Sequence, residues 1–231
     1  MGLTNGHSLL GVGIYTVREA ARLTRVSAPR IHRLLRGYTW QLQPGIRKQS
    51  PPVIAGQLHV NGGQLELGFL DMIETMAVNG FLAARVPWRD VRLAHKAAQE
   101  LLKVSHPFAT HKFKTGSKDI LLAIGEETES RTLLNLVTNQ LVFERFVSPY
   151  LREAIDYDEL AKAWWPKGRD RAVVIDPARR FGQPIITQGV PTAILAEAHD
   201  AGRSVESIAR WYEVDEQAVR DALDFENDLA A

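Results

Sequence analysis

Residues 15–38 read YTVREAARLTRVSAPRIHRLLRGY, and this stretch decides how the front of the chain folds. Thr16 has the character of a helix N-cap, and Glu19 three residues later completes a capping box. A tight turn follows in which Ser27 is the next N-cap. Pro29 falls in the first turn of the second helix, where its missing N–H costs nothing. The stretch therefore predicts two short helices joined by a tight turn.

The side chains of this segment divide into an apolar set and a basic set. The apolar residues recur at helical spacing and are expected to face inward: Val17, Ala20, Ala21, Leu23, Val26, Ile31, Leu34 and Leu35. Residues 14–50 hold eight Arg or Lys and one acid, a net charge of +7. A polyanion is attracted to such a segment, and the second helix of such a pair fits the major groove of DNA.

Nine polar or basic residues are candidate DNA contacts. Arg30 and Arg33 are the candidates for reading bases, because a guanidinium can bridge the N7 and O6 acceptors of guanine. Arg18 and Arg22, on the first helix, are expected to hold phosphates. The alternative is a small solvated helical hairpin that carries basic side chains on its surface. The full set is Arg18, Arg22, Ser27, Arg30, His32, Arg33, Arg36, Arg47 and Lys48.

The residues after the second helix predict a β-hairpin that would form a wing. Polar and apolar residues alternate over residues 39–49 on either side of Pro44-Gly45. Arg47 and Lys48 would lie on the flanking DNA backbone or in the minor groove. We expect Trp40 to be a core residue between wing and helix, with base stacking as the alternative.

The middle of the chain is predicted to mix helices with strands. Helical periods cover residues 69–81 and 87–104, which would form an antiparallel pair that buries a core or a dimer seam. A hairpin is predicted at residues 112–124, and residues 139–154 favour a helix with a strand as the alternative. Short strands are predicted around Val53, Ile54, Leu58 and Val60, at Leu133–Val137 and at Val173–Ile175.

The sequence lacks the patterns of a catalytic or metal site. Cysteine is absent, which excludes disulfides, zinc ribbons and thiol nucleophiles. No nucleotide-binding or hydrolase motif occurs, so we expect a protein that is not an enzyme and has no cofactor. An acid trio is expected in a solvated loop, with Mg²⁺ binding as the alternative: Asp156, Asp158 and Glu159. Four histidines without metal-ligand spacing are expected at helix ends and on the surface: His59, His95, His106 and His111.

The back of the chain repeats the front arrangement with the opposite charge. Ser204 is predicted to cap a helix over residues 205–212, and a further helix follows over residues 216–229. Residues 196–231 hold three Arg and ten acids, a net charge of −7, which phosphates would repel. The pair is therefore expected to contact a protein or to dimerise, with an acidic solubilising end as the alternative. Its core is expected from Ile208, Trp211, Val219, Leu223 and Phe225, with Trp211 and Phe225 as candidates for a partner interface.

These elements predict a helix-rich α+β fold in three domains. Residues 1–60 would form a winged helix-turn-helix DNA-binding domain, and residues 61–170 a mixed middle domain suited to dimerisation. Residues 171–231 would form a helix-turn-helix-like helical module. No apolar run approaches the ~18 residues of a membrane span, and residues 1–13 lack the basic region of a signal peptide, so a cytoplasmic location is expected.

Several stretches resemble a widespread prokaryotic module long catalogued as a domain of unknown function and described as antitoxin-like. They are residues 182–184, 189–192, 201–209 and 218–223. The front pair resembles MerR-type helix-turn-helix modules. Together with the segment 69–78 and the elements Trp164-Trp165-Pro166 and Asp176-Pro177, the whole chain resembles Vap-type antitoxins. At residues 189–192 it has Gly-Val-Pro-Thr where the shorter members have Gly-Thr-Arg, an apolar residue and Pro.

The resemblance implies a function in two parts. Vap-type antitoxins are dimeric repressors that bind operator DNA upstream of their own operon, and they silence a ribonuclease toxin with a PIN fold. Two alternatives remain open on the residues alone. One is a stand-alone helix-turn-helix regulator without a toxin, responsive to a small-molecule effector through the middle domain. The other is an interaction adaptor in which neither helical pair touches DNA.

Overall fold

The computed structural model describes residues 11–43, 45–58, 64–139 and 154–230, and its contacts group into two units. Among the described residues, the front unit comprises those from 15 to 161, and the back unit comprises residues 11–14 and 162–230. The helix-rich α+β class predicted from the sequence is confirmed. The division into residues 1–60, 61–170 and 171–231 stays a prediction.

The front unit begins with two short helices and a hairpin and continues with longer helices. Strand β1 pairs antiparallel with β4, and β2 pairs antiparallel with β3. In chain order its elements are β1 (Tyr15–Thr16), α1 (Val17–Thr24), α2 (Ala28–Arg36), β2 (Tyr38–Gln43), β3 (Ile46–Ser50), β4 (Glu66–Leu67), α3 (Phe69–Ala83), α4 (Trp88–Leu102), a 3₁₀ turn (Pro107–Ala109), α5 (His111–Glu127), α6 (Arg131–Thr138) and β5 (Ile155–Tyr157).

The core of the front unit forms around α3, which is buried on nearly every side. Leu34 of α2 packs in the same cluster as Phe81 of α3, Phe108 and Phe113. The ring centroids of Phe108 and Phe113 lie 4.6 Å apart, a distance typical of favourable aromatic pairs. The helices predicted over residues 69–81 and 87–104 are confirmed as α3 and α4.

Three sequence predictions for the middle of the chain are wrong. The hairpin expected at residues 112–124 is helix α5, which has one non-helical residue at Gly116. The strand expected at residues 133–137 is helix α6, begun by the Ser130 side chain accepting from the Leu133 backbone N–H. Instead of strands, Val53 and Ile54 form a buried bend whose N–H groups donate to the carbonyl of Leu34.

Helices α5 and α6 pack closely because a residue without a side chain lies between them. A Cβ added at Gly125 would come within 2.9 Å of the Leu134 side chain. The buried residues of α5 recur every three or four positions: Phe113, Ser117, Leu121, Ile124 and Gly125. This spacing belongs to a helix, and the apolar run Ile120–Ile124 concealed it. The segment predicted over residues 139–154 lies almost wholly outside the described residues.

The back unit joins antiparallel strands to three helices. After Ala161, the last residue of the front unit and the first of β6, its elements are β6 (Ala161–Trp164), β7 (Val173–Ile175), β8 (Pro184–Ile186), α7 (Thr192–Asp200), α8 (Val205–Tyr212) and α9 (Glu216–Ala230). Strand β7 pairs antiparallel with both β6 and β8. Its core includes Ile186, Leu195, Ile208 and Val219, each fully buried. The strand predicted at residues 173–175 is confirmed, and Ser204 caps α8 as predicted.

Two carboxylates of α3 lie fully buried and are paired with two buried histidines. Asp71 accepts from His106 Nε2 at 2.8 Å and from the backbone N–H groups of Gln57 and Gly68. Glu74 Oε2 lies 2.7 Å from His95 Nε2, and Glu74 Oε1 accepts from the Phe108 N–H at 3.0 Å. The predicted surface positions of His95 and His106 are therefore wrong, because both rings are buried acid partners.

Asp158 and Glu159 are exposed outside any strand or helix, as predicted, but Asp156 lies half-buried in β5, so the loop position predicted for it is wrong. His111 is exposed, and His59 lies outside the described residues. Within the described ranges, no group of three or more His, Asp or Glu is arranged to hold a metal ion. No helix in the described part of the chain is long and apolar enough to cross a membrane.

Replacing Asp71 with Ala should destabilise the protein by about 3–5 kcal/mol, because it leaves the buried His106 ring and the N–H groups of Gln57 and Gly68 without their acceptor. Urea unfolding followed by circular dichroism measures this change. Asp119→Ala, at an exposed position of α5, is the control and should change stability by no more than about 0.5 kcal/mol. Equal effects of the two substitutions would contradict the assigned role of Asp71.

The His106 side chain should make stability depend on pH near neutrality. Burial lowers its pKa, but the hydrogen bond to Asp71 and the negative charges of Glu74 and Asp71 outweigh burial, so the pKa is raised. A raised pKa in the folded state stabilises the protein fully below the ordinary value of about 6.5, and this contribution is lost as pH rises through the raised pKa. The unfolding midpoint should therefore fall with rising pH across that window. His106→Gln should flatten this dependence, and an unchanged slope in the variant would contradict it.

Candidate nucleic-acid interface

The corner between α1 and α2 is held by caps and by one left-handed residue. The Thr16 side chain accepts from the Glu19 N–H at 3.2 Å, and Glu19 accepts from the Thr16 N–H at 2.8 Å, which confirms the capping box. Arg25 ends α1 with φ of 58°, Val26 is buried, and Ser27 begins α2 without a side-chain cap bond. This corner fixes the angle at which α2 leaves α1.

Helix α2 has one fully buried face and one exposed basic face. Ile31 and Leu34 have no exposed surface, and they anchor the helix in the front unit. Two of its last carbonyls are satisfied, since Gly37 N–H donates to the carbonyl of Arg33 and Val53 N–H donates to that of Leu34. The structure leaves all nine predicted DNA contacts exposed: Arg18, Arg22, Ser27, Arg30, His32, Arg33, Arg36, Arg47 and Lys48.

The two predicted base-reading arginines each contact a side chain outside the helical pair. Arg30 Nη1 donates to Asn79 Oδ1 of α3 at 2.5 Å. The Arg33 guanidinium lies 5.5 Å from the ring centroid of Tyr38, within the range of a cation–π contact. In the described part of the chain neither arginine forms an ion pair, so both keep their charge and N–H donors for another acceptor.

Only glycine fits the junction between α2 and the hairpin. Gly37 has φ of 69°, and a Cβ added there would lie 2.1 Å from the carbonyl oxygen of Ser50. The close approach places the start of β2 against the end of β3, where Tyr38 pairs with Ser50. The hairpin predicted over residues 39–49 is confirmed in this position.

The hairpin presents its two basic residues on opposite faces. Arg47 pairs with Gln41 and Lys48 pairs with Trp40, and successive residues of a strand point to opposite sides. One DNA groove can therefore be contacted by Arg47 or by Lys48, but not by both, because the second side chain points away from it. Trp40 was predicted as a core residue, and this is wrong: it is 41% exposed, and its ring lies 5.4 Å from that of Tyr38.

Sequence reasoning missed the two side chains that contact the arginines. Tyr38 lies just after the end of α2, but nothing in the local pattern relates it to Arg33. Asn79 lies 49 residues after Arg30, in a helix that was predicted from the period of its apolar residues. The only local signal was a polar residue between buried neighbours, Val78 and Gly80.

The back unit repeats the corner with a different surface. Glu213 ends α8 with φ of 55°, as Arg25 ends α1, and Val214 follows as Val26 does. Beside this turn lies a groove of about 740 Å³ whose lining includes Glu206, Glu213, Asp215 and Glu216, together with Ala209, Val214, Gln188 and Arg210. The second corner therefore offers acids where the first offers arginines.

One acid of α9 belongs to the core instead of the surface. Asp221 is buried and accepts from Arg171 Nη1 at 2.8 Å, from the Ala172 N–H at 2.9 Å and from Gln217 Nε2 at 2.9 Å. Burial raises the pKa of Asp221, but these three donors outweigh burial and lower it. Lys167 contacts two further acids of α9, Asp224 and Asp228.

The two residues predicted for a partner interface occupy different environments. Trp211 is 69% exposed, and the Arg203 guanidinium carbon lies 5.2 Å from the centroid of its ring. Phe225 is 3% exposed and packs inside the back unit. The core position predicted for Trp211 is therefore wrong, because its ring lies on the surface. Phe225 supplies the core, as was also predicted for it.

The fold and the charge pattern define a helix-rich α+β protein with one basic and one acidic helix-turn-helix-like corner. Residues 173–225 match the family described as "Protein of unknown function (DUF433)". A protein of Mycobacterium tuberculosis named "Putative antitoxin VapB45" is 28% identical over 226 residues, which cover 92% of this chain and 93% of that protein. The chain thus resembles Vap-type antitoxins, as the sequence motifs predicted.

A solved structure shares this fold. The crystal structure of Rv2018 from Mycobacterium tuberculosis superposes with a TM-score of 0.70. The two sequences are 24% identical, and the match covers 93% of this chain and 99% of that chain.

Proposed function

We propose that this chain is a DNA-binding antitoxin of a type II toxin–antitoxin pair that represses its own operon and acts without catalysis or cofactor. The observation that carries the proposal is the exposed basic face of α2, held on a fully buried apolar face. The name of the Mycobacterium tuberculosis relative supports the antitoxin part. The cytoplasm is the compartment in which such a repressor would act.

DNA binding would follow from the geometry of the front corner. The N-terminal residues of α2 would enter the major groove, with Arg30 and Arg33 facing base edges. Arg18 and Arg22 on α1, with Arg36 at the end of α2, would hold phosphates. A homodimer would bind an inverted repeat with half-sites about one helical turn apart, ~34 Å.

Toxin binding would fall to the back unit. The acidic corner repels phosphates, so DNA would not compete for it. The exposed Trp211 has the character of an interface anchor, since large aromatic residues carry much of the binding energy in protein interfaces. The partner we propose is a PIN-type ribonuclease encoded beside this gene, with its basic surface toward the groove at residues 206–216.

Replacing Arg30 and Arg33 together with Ala should abolish the preference for a specific DNA sequence, at about 1–3 kcal/mol for each arginine. The native chain first selects a duplex from a random-sequence library, and fluorescence anisotropy then compares that duplex with a scrambled one. The control replaces Lys112 and Arg131, exposed on α5 and α6, so that the charge change is the same. Retained preference in the Arg30/Arg33 variant would remove α2 as the reading helix.

Replacing Trp211 with Ala should weaken binding of the co-expressed adjacent ribonuclease by at least about thirtyfold, the scale of an interface hot spot. Isothermal titration calorimetry measures the affinity, and DNA binding should be unchanged. Leu101→Ala is the control, because Leu101 is an exposed apolar residue of the front unit. An unaltered ribonuclease affinity would show that the partner binds elsewhere.

A further inference from the structure

We propose that Asn79 is a positioning residue that sets the sequence specificity of Arg30. The inference rests on the proposed DNA-binding function. Asn79 would not touch DNA, and it would act by holding the Arg30 guanidinium in one orientation. The base recognised by Arg30 would therefore be chosen partly by a residue of α3, outside the helix-turn-helix.

The acceptor on Asn79 is held by a rigid part of the molecule. Asn79 lies on α3 between buried residues on both sides, and Val78 and Phe81 belong to the core of the front unit. The start of α3 is fixed by the buried bonds of Asp71 and Glu74. The Oδ1 atom that accepts from Arg30 Nη1 at 2.5 Å is therefore fixed in relation to α2.

One such bond leaves the guanidinium able to read a base. The planar fork of arginine has further N–H donors on Nη2 and Nε once one Nη1 hydrogen is used. Two of these can still bridge the N7 and O6 atoms of guanine. Because the fork is already oriented before binding, less side-chain freedom is lost when the guanine is met, and a misplaced base cannot be followed by rotation of the fork.

Arg33 provides an internal contrast. Its guanidinium lies over the ring of Tyr38, and a ring face attracts a cation without selecting one of its N–H donors. The Asn79 oxygen, in contrast, selects one hydrogen of Arg30. We therefore expect the base specificity of Arg30, and not that of Arg33, to depend on a positioning residue.

The test uses four full-length variants on the duplex that the native chain selects from a random-sequence library. They are Asn79→Leu, Asn79→Asp, Arg30→Ala and the double variant Asn79→Leu/Arg30→Ala. Asn135→Leu, at an exposed position of α6, is the matched control for the change of side chain. Fluorescence anisotropy gives the affinity for the selected duplex and for a scrambled duplex at several salt concentrations, and thermal unfolding verifies folding.

Asn79→Leu should lower the preference for the selected duplex about tenfold, a coupling typical of residues in direct contact. Affinity for the scrambled duplex and its salt dependence should stay unchanged, because no phosphate contact is lost. Asn79→Asp keeps an acceptor and should retain the preference. In the Arg30→Ala background, Asn79→Leu should have no further effect on it.

Each other outcome overturns a definite part of the argument. If Arg30→Ala lowers the preference and Asn79→Leu does not, the positioning role is wrong and the DNA-binding proposal stands. A rise in preference with Asn79→Leu would mean that Asn79 holds Arg30 away from DNA, and this also overturns the inference. If the library yields no selected duplex, or Arg30→Ala binds as the native chain does, the reading function assigned to Arg30 fails together with the inference.

Discussion

The buried carboxylates of α3 are the constraint on which the front unit depends. A carboxylate without exposed surface must be paired and hydrogen-bonded, because an isolated buried charge is too costly. Asp71 and Glu74 meet this requirement with partners from the bend before β4, from α4 and from the 3₁₀ turn. These partners are positioned only when the whole unit is assembled, so the pairing joins segments that are distant in the chain. The position of α3 follows from it, and so does the surface that α3 offers to α2.

The exposed arginines of the front corner are thus positioned by the core on which α2 packs. Leu34 enters the core shared by α3 to α6, and Asn79 of α3 reaches the guanidinium of Arg30. A loop lysine would give the same charge but would not have a fixed direction. An arginine on a helix with a buried inner face and a rigid neighbour gives charge and direction together, which reading a base edge requires.

The two corners separate shape from surface chemistry. Both have a left-handed residue with a side chain at the end of the first helix, Arg25 in one and Glu213 in the other, and both continue with valine. The turn therefore depends on the inward valine and on the helix that follows, and the outward residues are free to carry either charge. Fold alone does not assign the same function to both corners. In the back unit the charge favours a protein partner, and one acid of its last helix, Asp221, serves the core.

The sequence by itself determined the elements whose signals lie within a few residues. The capping box at Thr16, the apolar periods of α1 to α4 and the pairing of the two hairpin strands were all predicted and found. It failed where an apolar run fits more than one structure, as at residues 112–124, because burial on a neighbouring helix decides between helix and strand. Only the tertiary structure revealed the buried pairs of His95 and His106, the exposure of Trp40 and the contact between Arg30 and Asn79. His95 and Glu74 lie 21 residues apart in the sequence, and Arg30 and Asn79 lie 49 residues apart. No local pattern specifies a hydrogen bond over such a distance, since it forms only when separate helices pack into one core.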